Sequence, residues 1–169
     1  MKLLVYGSNG WIGSQFVEIA AKAEHTIVCG KSRLDNIDNV REEVKNIKPT
    51  HVFCFIGRTH GSIDGKVYTT IDYLEQEGKL VDNIRDNLFS PINLAKICEE
   101  EKVHLTYLGT GCIFKFDEEH PYEQEVNGFT EESKPNFFGS GYSVVKGFTD
   151  QMMSLFKNVL NLRIRMPIT

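Results

Sequence analysis

Tyr142 and Lys146 stand four residues apart in Tyr142-Ser143-Val144-Val145-Lys146. On a helix that spacing puts a phenol and an ammonium on one face, within reach of one ligand. The pair suits proton transfer to a ketone oxygen. A free tyrosine titrates near ~10, and a neighbouring cation favours its phenolate and lowers that value. Such a tyrosine can give and recover a proton near neutrality. A second motif lies at the start of the chain, Gly7-Ser8-Asn9-Gly10-Trp11-Ile12-Gly13. Between a strand and a helix, Gly7 permits the tight turn, Gly10 lets backbone approach a pyrophosphate, and Gly13 allows the helix to pack closely on the strand. Free N–H groups at the helix start then bind the phosphates. A Y-x-x-x-K spacing arises often by accident. Joined to a glycine loop at the first strand of an alternating pattern, it reads as a ketone-reducing site with a bound dinucleotide.

Two further stretches should border that dinucleotide. After the second apolar run comes Gly30-Lys31-Ser32-Arg33, with no acid until Asp35. A carboxylate would repel a 2′-phosphate, whereas Lys31, Ser32 and Arg33 can bind one, so the expected cofactor is NADPH; a solvated basic loop is the alternative. Gly57, Arg58 and Thr59 follow the third apolar run and should line the cofactor, although a solvated turn would also account for Arg58.

These residues need a scaffold, and the apolar pattern supplies one. Lys2–Tyr6, Thr26–Cys29, His51–Ile56, Val103–Leu108 and Val159–Arg165 read as buried strands. Helical spacing covers Trp11–Lys22, Asn39–Ile47, Leu80–Glu101 with a kink at Pro91, and about Tyr142–Phe156. Strands too apolar to face water on either side predict an α/β fold with a doubly wound, Rossmann-like parallel sheet in the order 3-2-1-4-5. Gly61–Lys79 fits no element and is expected to be a surface excursion, a lid or an interface. Leu162–Thr169 leaves a strand and stops. The expectation is therefore one NADP-binding domain over residues 1–169, the front portion of a longer enzyme whose C-terminal substrate region is missing.

Composition narrows the class. The 169 residues carry 19 Lys+Arg against 23 Asp+Glu, with 41% hydrophobic and 25% charged residues. That excludes disordered, collagen-like and coiled-coil chains and argues against nucleic acid or an anionic membrane as partner. No stretch approaches the roughly 18 apolar residues of a membrane span, and the N-terminus is too short for a signal peptide, so a cytoplasmic protein is expected. Cys29, Cys54, Cys98 and Cys112 are too scattered for a disulfide framework or a zinc site, and no metal is expected.

Together the glycine loop and Tyr142-x-x-x-Lys146 resemble the extended short-chain dehydrogenase/reductases. The resemblance implies Tyr142 as general acid/base, Lys146 on the nicotinamide ribose, and Thr110 polarising the carbonyl; the alternative for Thr110 is a strand-end hydroxyl satisfying backbone. It also implies a homodimer through the long helix and the Tyr142 helix, with Met152, Met153 and Phe156 either in that contact or in the core. Asn87 falls where this superfamily keeps an asparagine, or lies on a helix surface. Leu108–Phe114, Gly128–Phe137 and Leu162–Pro167 more closely resemble the bifunctional UDP-4-keto-6-deoxyglucose 3,5-epimerase/4-reductases of UDP-rhamnose synthesis, relatives of dTDP-4-dehydrorhamnose reductase. The implied substrate is a nucleotide-linked 4-keto-6-deoxyhexose, epimerised at carbons 3 and 5 and reduced at carbon 4 with NADPH, touched by Thr110, Gly111, Cys112, Asn136 and Phe137. Plain reductases carry an Asp and an aromatic where this chain has Gly111 and Cys112. A related epimerase-reductase uses a cysteine at the spacing of Thr110-Gly111-Cys112, which makes Cys112 a candidate base; a small core thiol is the other reading. Gly61–Lys79 departs from the plant pattern. Two other functions stay open, a simple reductase and a non-catalytic NADP-binding regulatory subunit. The 169 residues alone are expected to bind NADPH and turn over little sugar nucleotide.

Overall fold

The computed structural model describes residues 1–122 and 127–165. The chain runs β1 (Lys2–Tyr6), α1 (Trp11–Lys22), β2 (Thr26–Cys29), α2 (Ile37–Ile47), β3 (His51–Cys54), β4 (Gly61–Ile63) and β5 (Lys66–Tyr68). A 3₁₀ turn at Ile71–Tyr73 leads into α3 (Leu80–Ile84), a π-helical turn (Arg85–Phe89) and α4 (Ser90–Glu100). Then come β6 (His104–Thr110), α5 (Gly141–Met153) and β7 (Val159–Ile164). Met166 and Pro167, the end of one resemblance segment, lie outside the described residues.

Five strands form one parallel sheet in the order β2-β1-β3-β6-β7. The doubly wound parallel sheet is as expected, but the strand order is not. The third long strand lies inside the sheet between β1 and β6, giving 2-1-3-4-5 rather than 3-2-1-4-5. Burial accounts for the difference. Val52 and Cys54 of β3 are fully buried, as a central strand requires, whereas β2 has exposed ends, including Cys29, and suits an edge. Chain direction therefore switches between β1 and β3, and the crevice for a ligand opens above their carboxyl ends.

Alternation along the strands sorts the core into two layers. Leu4, Tyr6, Val52, Cys54, Leu105 and Tyr107 face α2, α4 and α5, meeting Val40, Val44, Leu94, Ile97 and Met153. Leu3 and Val5 face α1, with Ala20 and Phe16. Each fully buried Leu or Val contributes about 1.5–3 kcal/mol through loss of apolar area to water. Met153 thus belongs to the core, Phe156 packs against it beyond the end of α5, and Met152 is exposed.

The long helix does not kink as a simple proline break. Pro91 has no N–H to offer the Asn87 carbonyl four residues back. The helix widens into the π turn just before it, and the Thr149 hydroxyl of α5 donates to that carbonyl at 2.6 Å. The proline thereby docks α5, which carries Tyr142, onto the long helix. Gly61–Lys79 is an antiparallel hairpin, β4–β5, followed by the 3₁₀ turn. Ile63, Tyr68, Ile71, Tyr73 and Leu74 from it pack around Tyr142 and Cys112. It is a wall beside those two residues.

Candidate active site

The glycine loop is shaped as its sequence demands. Gly7 has φ +79°, and a Cβ there would meet backbone of Phe55 at 2.9 Å. A Cβ on Gly13 would lie 2.1 Å from the Gly7 carbonyl oxygen, so only hydrogen lets α1 approach the turn. Gly10 is extended at the head of α1, with no side-chain cap and no acid in the first turn. The first N–H groups of α1 are left for an anion, at the positive end of the helix dipole. A close-approach cradle and an uncapped helix start together fit a dinucleotide pyrophosphate.

A cleft of about 320 Å³ opens from this loop to the far side of the switch point. Gly10, Trp11, Ile12 and Gly13 line it with Gly57, Thr110, Tyr142 and Lys146. Residues from four separate parts of the sequence thus meet in one place. A second cavity of about 250 Å³ shares Ile56, Gly57 and Thr59 with it and continues to Arg33, Asp35 and Arg58. Asn87, expected either here or on the helix surface, is buried: its amide oxygen accepts Arg58 N–H at 2.8 Å and its nitrogen donates to Arg58 O at 2.9 Å. It shapes the loop that follows β3.

At the reactive end, Tyr142 is buried at the head of α5. Burial pushes its phenol up to about 12; the Cys112 side chain adds to the rise and the Thr110 hydroxyl opposes it. This corrects the expectation that Lys146 lowers the tyrosine. Desolvation outweighs any cation here, and the ammonium is turned elsewhere: Lys146 Nζ donates to the Tyr107 hydroxyl and lies 4.7 Å from that ring's centre. Burial brings Lys146 itself down to about 8, with Cys54, Asp150 and Cys112 pulling it back up. Thr110 Oγ1 accepts the Cys112 N–H at 3.1 Å, which leaves its own hydrogen free to donate. The Ser143 hydroxyl donates to the Cys112 carbonyl at 2.8 Å, tying that turn to α5. Gly111 N–H donates to Ile164 O at 2.8 Å.

Other expected residues lie apart or are already engaged. Asn136 spends its amide on the loop after β6, donating to Lys115 O at 3.0 Å and Asp117 Oδ2 at 2.6 Å and accepting Lys115 N–H at 2.9 Å. Phe137 covers Gly139. Lys31, Ser32 and Arg33 line a groove beside the cleft. Glu43 accepts the Lys31 and Ser32 N–H groups at 2.8 and 3.1 Å, and Arg33 is paired with Asp35. Among the described residues, no three His, Cys, Asp or Glu side chains gather to hold a metal, and no helix is long and apolar enough to cross a membrane.

Two residues of consequence gave no signal in the sequence. Tyr107 reaches Lys146 only through the pairing of β6 with α5. Glu75, from the wall beside Tyr142, accepts the Gly141 and Tyr142 N–H groups at 2.9 and 3.0 Å, filling the start of α5 alongside the Ser140 cap on Ser143.

Residues 1–135 match the family model described as the RmlD substrate binding domain. Along its whole length the chain is 55% identical to an uncharacterized protein of Acanthamoeba polyphaga mimivirus, of which it covers 57%. The crystal structure of the UDP-rhamnose synthase of that virus superposes with a TM-score of 0.90 at 54% identity, covering 99% of this chain and 57% of that one. A trifunctional UDP-glucose 4,6-dehydratase/UDP-4-keto-6-deoxy-D-glucose 3,5-epimerase/UDP-4-keto-L-rhamnose-reductase of Arabidopsis thaliana is 37% identical over 169 residues, all of this chain and 24% of the plant protein. The chain therefore spans little more than half the length of the viral relative and a quarter of the plant one.

Proposed function

Since the chain belongs to the RmlD substrate-binding-domain family, we propose that it is the NADPH-binding, hydride-transferring part of an epimerase/reductase acting on a nucleotide-linked 4-keto-6-deoxyhexose. The product is the nucleotide-linked L-rhamnose. The observation that carries this reading is the single cleft shared by Gly10–Gly13, Thr110, Tyr142 and Lys146. The likeness to the mimiviral UDP-rhamnose synthase supports the substrate class.

The bound cofactor supplies the hydride for carbon 4, and the remaining demands fall on the chain. Thr110 donates its free hydroxyl hydrogen to the ketone oxygen. Tyr142, held as a phenol by burial at neutral pH, delivers the proton that the oxygen takes up as it becomes an alcohol. Lys146, cationic below about 8, turns from Tyr107 to the nicotinamide ribose and stabilises the phenolate left behind. Gly7, Ser8, Asn9 and Gly10 carry the pyrophosphate with Trp11, Ile12 and Gly13; Gly57 and Arg58 border the adenosine, and Lys31, Ser32 and Arg33 take the 2′-phosphate. For epimerisation, the Cys112 sulfur takes the acidic proton beside the ketone at carbons 3 and 5 in turn, and a Lys or His of the longer enzyme, beyond Thr169, returns a proton to the opposite face of each carbon. The packing of Cys112 against Tyr142 supports that role. Gly111 and Phe137 border the sugar, while Asn136 acts through the loop it closes. The enzyme works in the cytoplasm as a homodimer, with exposed Phe148 and Met152 of α5 in the contact.

Calorimetric titration of NADPH and NADH into the chain tests the cofactor. Tighter NADPH binding is expected; equal or tighter NADH binding would end the NADPH assignment, and binding of neither would end the reading. Epimerisation is tested in the complete enzyme by adding the keto sugar nucleotide in deuterated water. Cys112→Ser should lose exchange at carbons 3 and 5 while keeping reduction of a pre-epimerised ketone. Undiminished exchange in that variant would remove Cys112 from the mechanism, and no exchange in the wild-type enzyme would leave a simple reductase as the function.

A further inference from the structure

The arginine assigned to the 2′-phosphate already holds an anion of the chain's own. Arg33 Nε and Nη2 donate to Asp35 Oδ1 and Oδ2 at 3.1 and 2.9 Å, a two-pronged pairing of the kind a phosphate would make. Asp35 has a second cation within reach, since Arg85 Nε stands 3.6 Å from its Oδ2. Arg33 and Asp35 both line the cavity that runs past Gly57 towards Tyr142, so the pair faces the crevice and not bulk solvent alone. The neighbouring backbone donors of Lys31 and Ser32 are held by Glu43, which leaves side chains to meet an anion at this end of the crevice: the exposed Lys31 ammonium, and the Arg33 fork that Asp35 holds.

Resting on the dinucleotide reading of this crevice, we propose that Asp35 sets the choice between NADPH and NADH by competing with the 2′-phosphate for Arg33. While Asp35 holds Arg33, its carboxylate is an acceptor beside the ribose, which suits the 2′-hydroxyl of NADH. For NADPH the carboxylate must leave the fork, because two anions on one guanidinium repel each other. Arg85 is no open receiver, since its fork already holds Asp86 at 2.8 and 3.1 Å and Asp82 at 3.0 Å, so the displaced carboxylate turns to water. The exchange trades one charge-assisted fork for another. Preference for NADPH is therefore smaller than a free Lys31-Ser32-Arg33 run would give.

The test is calorimetric titration of both dinucleotides into the wild-type chain, Asp35→Asn and Arg33→Gln, with a thermal melt to confirm folding. Asp35→Asn keeps the side-chain shape and removes the competing charge. It should tighten NADPH about tenfold and loosen NADH severalfold. Arg33→Gln should loosen NADPH by about tenfold and leave NADH within about threefold. An unchanged NADPH-to-NADH ratio in Asp35→Asn, or weaker NADPH binding there, overturns the proposal while leaving the dinucleotide site intact. A wild-type chain that binds neither dinucleotide overturns the reading of the crevice and this proposal with it.

Discussion

The two ends of the crevice are tuned by different physics. At the β2 end, charged groups stand near water and are answered by carboxylates: Arg33 by Asp35, Arg58 by Asp86 at 2.8 Å, and the Lys31 and Ser32 N–H groups by Glu43. At the β6 end, Tyr142 and Lys146 are nearly dry, and burial is the largest cause that moves them to about 12 and about 8. A ligand at the first end must exchange charges, and salt will weaken what it finds there. A ligand at the second meets groups whose protonation was fixed when the chain folded. Binding of a phosphate is thus adjustable by single charge changes, whereas the proton chemistry responds chiefly to burial.

The sharpest break in that contrast would come at the junction between the ends. Gly13→Val places carbon where 2.1 Å separates it from the Gly7 oxygen, so α1 must move away from the loop. Loss of NADPH affinity by about a hundredfold or more is expected from titration, since close approach and the uncapped helix start are lost together. Next in size is the pH dependence set by Lys146. Its folded value, about 8, lies below the ordinary 10.5, so the unfolded chain takes up the proton first as pH falls. Stability contributed at high pH is then lost between about 10.5 and about 8 and stays level below. Denaturant melts of wild type and Lys146→Met should diverge by about 3 kcal/mol across that window. A divergence confined to lower pH would mean that the ammonium is not buried as described. Smaller again, Glu75→Gln removes the charge that caps α5 and should cost about 1 kcal/mol, with NADPH affinity unchanged. Smallest is Thr149→Val, which leaves the Asn87 carbonyl without its donor; a loss of about 1 kcal/mol or slightly less is expected in the same melts.

What could be read beforehand divides along the same lines. Strand and helix positions follow from local periodicity, and β1, α1 and β2 run over the residues that the apolar pattern marks. α2 begins two residues before the expected Asn39, because the Asn36 side chain accepts the Asn39 N–H and caps the helix. That signal was present in the sequence. So was the hairpin in Gly61–Lys79: Asp64-Gly65 both have positive φ, and this dipeptide is a strong two-residue turn former. Non-local features were out of reach. β6 runs on to Thr110 because Gly109 and Thr110 pair with Arg163 and Ile164 of β7, and the position of β3 inside the sheet depends on which runs are buried deepest. For the site, residue types and spacing were enough to bring forward Tyr142, Lys146 and the glycine loop, and the family resemblance added Thr110. They could not tell that Lys146 leans on Tyr107, that Arg33 is held by Asp35, or that Asn136 closes a loop, because each depends on where a distant side chain comes to rest.

The central claim is that one cleft holds the nicotinamide against Tyr142, Thr110 and Lys146. A crystal structure of the chain with NADP⁺ measures this directly. The account predicts nicotinamide carbon 4 facing the cleft, with room for one ketone, at reacting distances of about 3–3.5 Å, between it and the Tyr142 and Thr110 hydroxyls. Lys146 Nζ should by then have left Tyr107 for the ribose. A nicotinamide lying outside the cleft, or pyrophosphate bound away from the N–H groups at the start of α1, would contradict it.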